Sequence, residues 1–527
     1  MTNNFAEVDV KIKQIIESLD LAAGGELAPV DISLDLTIGE SSEIYLEDIH
    51  NGALKWWLVE YQPEPDASNI EKVQGYLEAV YHLCESGAWI KAREIPFFVP
   101  FNSPTGDPLH QLLNTWGYYS DQDSLYQQIL DSDKDLPLDL KVIFLNGRGD
   151  AKFDMKQDEE AYECYELALS IARKIHNKQQ EGMALRGLGK VCWAQKDYKN
   201  SIYYFSSHLK LAKEINNTQQ IGIALQNIGN VYRCLNQHEK ALEYYRNSYE
   251  ICNTTDDLRG KAKTILSFGK SYSFKSQYDT AILYFCESLE IFRNIEDPIG
   301  KREASFLLGS SYQQLGKLKE AKDCYEQSLK ITQEPREYEM EANTIFELGW
   351  VCFYLEEFKQ AAECYKKFLN IANNFLLQLQ GDAMSQLGLI FNKLKEFDTS
   401  IRYSQDALKW FQKTGHKVGE GYALGNIGVS LRELDKYNDA IEYFKKAIEI
   451  DDNLSDVFNK GVILRDLGIT YRKMKMYQAS IDYLYQSMEI LNQYKQRVDY
   501  DKEFQETLNE LELTKKGAET LPCTLRI

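Results

Sequence analysis

Nowhere in the 527 residues does an apolar run approach the roughly 18 to 20 residues that a bilayer-spanning helix needs. The opening MTNNFAEVDVKIKQ lacks the basic-then-apolar order of a secretory leader. Together these absences lead to the expectation of a cytoplasmic protein. Proline is scarce after the first quarter of the chain. Eight of eleven precede residue 142, and between 142 and 500 only Pro298 and Pro335 occur. Basic residues are scarce before that point. Residues 1–141 hold 8 Lys and Arg against 25 Asp and Glu, whereas the remainder holds 52 against 55. The net charge of −20 therefore belongs mostly to the first region, and two unlike regions are joined. CxxC pairs are missing as well. Of the ten cysteines, Cys164, Cys324 and Cys364 share one repeated position, and Cys192 and Cys352 share another. That regularity describes small buried side chains rather than disulfides or zinc ligands.

Catalytic signatures are missing too. The tetrapeptide FGKS at 268–271 has Thr264 where a phosphate loop needs its upstream glycine. NGRGD offers two glycines, but Gly149 belongs to a repeat column, which leaves no dinucleotide fingerprint and makes Arg-Gly-Asp a coincidence. The seven histidines are scattered, with none paired at metal-ligand spacing; His208 fills a usually small position and reads as structural. The terminal CTLRI reads as a disordered end. No catalytic residue, cofactor or metal is expected, and the chain reads as a non-enzyme.

What the sequence does have is a ladder. Glycines stand at 149, 189, 229, 269, 309, 349, 388, 428 and 468, in steps of 40 and once 39. Twelve residues after each comes Ala or Ser. Four further on, a ring or large apolar group follows in eight cases, from Tyr165 and Phe205 to Phe444 and Leu484, with Ser404 as the exception. A glycine inside a helix costs about 1 kcal/mol relative to alanine. Nine in register imply a shared packing need: two antiparallel helices crossing closely, with the ring filling the space beside the crossing. Such hairpins bury their apolar faces only by stacking.

The column Leu/Ile-Gly-x-x-Tyr, then small, then Tyr/Phe, then small (Ala168, Ser248, Ser288, Ser328) resembles the tetratricopeptide repeat. The period of 40 is similar to the lengthened repeat of the LGN and rapsyn families and of large bacterial, including cyanobacterial, signalling proteins. The resemblance implies an all-α, right-handed superhelix, or α-solenoid, over 142–500, with nine repeats. Repeats one and seven, with Lys152 and Ser404 in place of rings, are expected to be looser. A capping helix at 501–514 and a flexible tail at 515–527 follow. Before the ladder, 69–141 reads as degenerate helical hairpins. In 1–68 the alternation of Ile32, Leu34, Leu36 and Ile38 in DISLDLTI has period two. With SEIYLED and ALKWWLVEY it suggests a small three-stranded sheet, or an acidic extended segment able to occupy a groove.

In the repeat family, the helix that carries the glycine (helix A) lines a concave groove at offsets −6, −3, +1, +4 and +5 from it, one stripe of a helix. Repeat two then supplies Arg186, Lys190 and Trp193; repeat three Gln226, Asn230 and Arg233; repeat four Lys263, Lys270 and Phe274. Repeat five supplies Phe306, Gln313 and Gln314, and repeat six Asn343, Phe346, Trp350, Phe353 and Tyr354. Asn392, Lys393, Arg432, Arg465, Arg472 and Lys473 complete the set. The expected groove is basic at both ends with rings between. That pattern suits a peptide with acidic flanks and an apolar anchor, since rings and arginine supply most hot spots. The expected function is a non-enzymatic interaction scaffold that holds a peptide segment of a partner, with the acidic N-terminal region as a possible intramolecular occupant. Two alternatives stand beside it: a regulator like the Rap-type response-regulator phosphatases, and an RNA-binding superhelix that stacks bases on its rings.

Overall fold

The computed structural model describes residues 46–64, 67–97, 108–132, 135–331, 338–372, 377–451, 458–495 and 500–519. Helices account for nearly all of them, and no strand occurs among the described residues. The segment 31–38 lies outside that set. Where they are described, the strands expected in SEIYLED (42–48) and ALKWWLVEY (53–61) are helical instead: Leu46–Lys55 is an α-helix continued by a π-helical turn, Trp56–Glu60. The reason lies in a spacing of four. His50, Leu54 and Leu58 recur on one helical face; Leu54 is fully buried and Leu58 packs against the same core. That core also takes in Val73 and Val80 of helix Asn69–Glu85, Leu109 and Leu113 of Leu109–Trp116, and Leu125 of Tyr119–Ser132. Ser68 and Glu71 close the start of helix 69–85 with a reciprocal capping box.

From Leu138 on, the chain is paired helices of about 17 residues. Repeat one pairs helix A, Leu138–Asp154, with helix B, Asp158–Lys174. Repeats two, three and four follow as 178–194 with 198–214, 218–234 with 238–254, and 258–274 with 278–294. Repeats five to nine have A helices Pro298–Gln314, Tyr338–Tyr354, Leu377–Lys393, Lys417–Glu433 and Phe458–Lys473, each followed by its B helix. Pro298 occupies the first turn, where a missing N–H is harmless. A final helix, Tyr500–Glu519, extends five residues past the expected end of the cap. The chain divides into two compact units, 1–304 with 331–337, and 305–330 with 338–527; each is described by itself below.

The glycine column works by contact. A Cβ on Gly229 would sit 2.5 Å from the Tyr245 ring, and one on Gly189 2.6 Å from Phe205. Each ring therefore lies directly on its glycine. Gly349 is looser, with Tyr365 at 3.1 Å. At two of the three serines at +12 the hydroxyl donates to the glycine's carbonyl, Ser201 to Gly189 at 2.9 Å and Ser400 to Gly388 at 2.7 Å, whereas Ser480 meets the Thr514 hydroxyl at 3.3 Å. Repeat one keeps its ring, Tyr165, on Gly149 and puts charge where the motif has tyrosine three residues after the glycine: Lys152 is buried and pairs with Asp123 at 3.0 Å and Glu160 at 2.8 Å. In repeat seven the buried Ser404 hydroxyl has no partner.

The connectors have a period of their own. Lys156, His176, Lys196, Asn216, Asn236, Asp256, Ser276 and Glu296, twenty residues apart, all have φ between 53° and 63°. Each left-handed residue ends a helix: after the first, the Gln157 amide donates to the Lys152 carbonyl at 2.9 Å, and the Lys156 amide to Phe153 at 2.9 Å. Asx residues then open several next helices: Asn177, Asp197, Asn217 and Asp257 each accept from a backbone amide three residues on.

All nine cysteines among the described residues are free. No described helix is long and apolar enough to cross a membrane, and no described cluster of His, Cys, Asp and Glu could hold a metal ion.

Candidate functional site

Neighbouring A helices touch through their polar side chains, and these contacts fall on the stripe singled out by the glycine offsets. In the first unit, Asp150 of repeat one gathers three groups: the Tyr165 hydroxyl at 2.8 Å, Lys190 at 3.1 Å and Arg186 at 3.4 Å. Burial works against its charge, but Lys190 and Arg186 hold its carboxyl below the usual range. Lys190 also lies over the Phe153 ring. Trp193 donates its indole N–H to the Cys234 sulfur at 3.4 Å. In repeat three, Gln226 donates to the Ser267 hydroxyl, and Asn230 accepts from the Tyr245 hydroxyl at 2.8 Å. Arg233 lies over Phe274, whose own surface is 62% exposed. Lys270 meets Glu303 at 2.6 Å. Lys263 is exposed at the surface but crowded by protein, and that crowding lowers its pKa.

In the second unit, Phe306 packs on Tyr325, and Phe346 turns into the core against Tyr365 (5.3 Å between centroids) and Phe368 (5.2 Å). Trp350 and Tyr354 stand one turn apart with centroids 4.1 Å from each other, and Phe353 meets Tyr354 at 5.4 Å. All three are half-buried, as is Asn343. Asn392 is buried and knits repeats seven and eight, donating to the Asn426 carbonyl and accepting from Ser430. Lys393 and Gln314 are exposed. Arg432 is buried between Asp466 at 2.7 Å and Glu433 at 2.9 Å, and Lys473 reaches Glu433 from the other side at 2.8 Å. The C-terminal helix closes this row: Glu503 and Glu506 take Arg465, and Glu510 takes Arg472 at 2.8 Å.

One helix pair repeated nine times, a glycine under a ring in most repeats and left-handed connectors at twenty-residue spacing leave one assignment. The chain belongs to the tetratricopeptide-repeat family. The model of that repeat matches residues 142–214, 220–294, 302–374 and 379–453, more than half of the chain. No curated protein sequence matches it. Among solved structures, the apo form of the quorum sensor NprR from B. thuringiensis is similar at 19% identity and a TM-score of 0.41, covering 64% of this chain and 96% of that one. A Rap protein complexed with Competence and Sporulation Factor is similar at 15% identity and 0.39, covering 72% and 98%. YrrB, described as a TPR protein with an unusual peptide-binding site, is similar at 20% and 0.32, covering 40% and 93%. At these values no ligand or activity is transferred.

The basic ends expected of this tetratricopeptide face are corrected by the carboxylates. Of the ten cations singled out, Arg186, Lys190, Lys270, Arg432, Arg465, Arg472 and Lys473 form ion pairs, whereas Arg233, Lys263 and Lys393 form none with the described residues. The overlooked partners Asp150, Glu303 and Glu433 occupy the same offsets, +1, −6 and +5, that selected the cations. The signal was present, and it pointed to a ladder between repeats as much as to a ligand.

Proposed function

We propose that this chain is a non-enzymatic scaffold of the cytoplasm that holds a peptide segment of a partner protein along the inner faces of its A helices. One observation carries the reading: Trp350, Phe353 and Tyr354 form a half-buried ring cluster on a single A helix. Trp350 and Phe353 pack in part against the core, and the ring surface left uncovered is of the kind that peptide anchors fill. The cluster supports an apolar anchor residue. Acidic flanks are supported only near Arg233, Lys263 and Lys393, since the other cations have internal partners.

Selection of displayed twelve-residue peptides on the full-length chain tests the reading. The expected result is a family of binders with a shared apolar residue, lost with Trp350→Ala, Phe353→Ala but kept with Tyr203→Ala, Leu283→Ala, which removes two highly exposed groups of the B helices. Equal recovery from both double variants, each with unchanged helix content, would reject the inner face as the site.

A further inference from the structure

Many carboxylates along the A helices are met by cations, although Asp154 and Asp382 form no ion pair among the described residues. Asp150 has Lys190 and Arg186, Glu303 has Lys270, Glu433 and Asp466 have Arg432, and Glu510 has Arg472. Glu347, on helix A of repeat six, differs from these paired carboxylates. Among the described residues its one polar contact is with a neutral group: Gln313 of the preceding A helix donates through Nε2 at 2.9 Å. The amide of Gln313 is fixed in that orientation because its own oxygen accepts from the Tyr325 hydroxyl at 2.7 Å. One carboxylate oxygen is thereby occupied and the other is not, in a half-buried side chain. Burial pushes the Glu347 carboxyl up, with only the Gln313 bond opposing. An unpaired carboxylate in such surroundings is unfavourable, and a cation brought to it would be strongly attracted.

The surroundings suit a cation in a second way. Asn343, Trp350 and Tyr354 stand four before, three after and seven after Glu347, so helical spacing puts all four on one face. Trp350 and Tyr354 are packed 4.1 Å apart. Ring faces attract a positive group, and tryptophan does so best. A carboxylate with no counter-ion beside a Trp-Tyr pair is a site for positive charge.

We propose that Glu347, with Trp350 and Tyr354, receives a lysine or arginine side chain of the bound peptide. This rests on the peptide-scaffold reading above and reverses, for repeat six, the sign of charge expected from the sequence. The anchor then binds as an apolar residue with a basic neighbour, rather than an apolar residue between acidic flanks.

Two measurements on the full-length chain separate this proposal from the reading beneath it. In the peptide selection, wild type should enrich Lys or Arg at one fixed spacing from the shared apolar residue. Glu347→Gln, which keeps the shape and a hydrogen bond to Gln313, should remove that preference at least tenfold while leaving the apolar preference in place. Glu510→Gln, at an already paired carboxylate, should leave both. A basic preference that survives Glu347→Gln, or an acidic preference in wild type, overturns the proposal. The second measurement needs no peptide. N-acetyl-arginine amide at millimolar concentration should raise the melting temperature of wild type but not of Glu347→Gln, and N-acetyl-glutamate amide should raise neither. Equal shifts in both proteins overturn the proposal. A shift with tetramethylammonium but not with the arginine or lysine amides overturns it in favour of a quaternary amine. If the arginine amide acts through Glu347 while no displayed peptide binds, the scaffold reading fails and this proposal, as a peptide subsite, fails with it; the cation site itself then stands alone.

Discussion

Repeats two to four and repeats five to seven share one backbone plan but differ in how their inner stripes are finished. In the first set, cations and carboxylates satisfy each other across neighbouring A helices, as in Lys190 with Asp150 and Lys270 with Glu303. In the second, rings and neutral amides take most of those offsets, and Glu347 is left with only an amide for company among the described residues. The same scaffold positions can thus either lock adjacent repeats together or be left for something else to fill. Which use a repeat makes of them is a matter of side-chain chemistry, because the main chain is set by glycines, rings and connectors that both sets possess.

Acid should separate the two sets most strongly. Repeat two alone carries a buried histidine at the column that repeat five fills with Ser328. Burial chiefly, with Arg186 adding to it, holds the His208 imidazole down at about 4, and its Nδ1 has no partner. The folded chain then binds fewer protons than the unfolded one between that value and 6.5. Stability from this group is complete above pH 6.5 and falls as pH drops toward 4, by up to about 3 kcal/mol. Hydrogen exchange resolved by repeat should show the helices of repeat two opening before those of repeats five to seven. His208→Ser should abolish the difference, because serine there can donate to the Gly182 carbonyl as Ser248 does to Gly222. Simultaneous opening of both sets would break the comparison.

The ring column offers the next largest contrast. Gly229→Ala drives a methyl into Tyr245 and should lose about 1–3 kcal/mol in a urea melt. Gly349→Ala meets Tyr365 only at 3.1 Å, so the helix gain of about 1 kcal/mol should nearly cancel the crowding. Equal losses at both sites would show that the rings of repeat six are seated as tightly as those of repeat three.

A smaller effect distinguishes the two carboxylates. Lys270 chiefly, against the burial that opposes charge, keeps Glu303 below the usual carboxylate range, so its stabilising contribution is present above its unfolded value of 4.5 and is lost as pH falls. Glu347 is displaced upward, so its ionisation removes stability as pH rises past 4.5. Glu303→Gln should therefore lower stability at pH 7 by about 1 kcal/mol, and Glu347→Gln should leave it level or slightly higher. Urea midpoints at pH 7 and pH 5 check both signs. The smallest expected change is at a connector. Lys196→Gly relieves a left-handed side chain, worth about 1–2 kcal/mol. The added freedom of the unfolded chain, about 0.4–1 kcal/mol, offsets part of it and leaves a gain of several tenths.

Much of the fold could be read from the chain because glycine, alanine and tyrosine at fixed intervals have few other uses. Gly229 and Tyr245 are sixteen apart in the sequence and touching in the molecule. The N-terminal misreading had a physical cause. ALKWWLVEY is rich in β-favouring residues, and only the longer spacing of His50, Leu54 and Leu58 reveals a helix, because tertiary burial outweighs propensity there. The inner stripe was half legible. Offsets from the glycine picked the right face for Lys190 and Lys270, but the cations of one helix do not reveal that Asp150 comes from the A helix before and Glu303 from the A helix after. The two classes of residue separate only when adjacent helices are considered as a pair. Phe346 shows the same limit, since a ring at offset −3 can turn outward or settle on the following ring, as it does on Tyr365.

The twenty-residue spacing of left-handed connectors has a consequence for how such an array can change. Any block cut between two equivalent connectors carries whole helices with their stops and starts, so gene duplication or deletion in steps of forty residues preserves every ring-on-glycine contact at the new seam. Indels of other sizes rotate a helix out of phase with its neighbour, unless they fall in a junction, as the single 39-residue step from Gly349 to Gly388 does. The number of repeats is therefore free to drift over evolutionary time, while the length of each one is not.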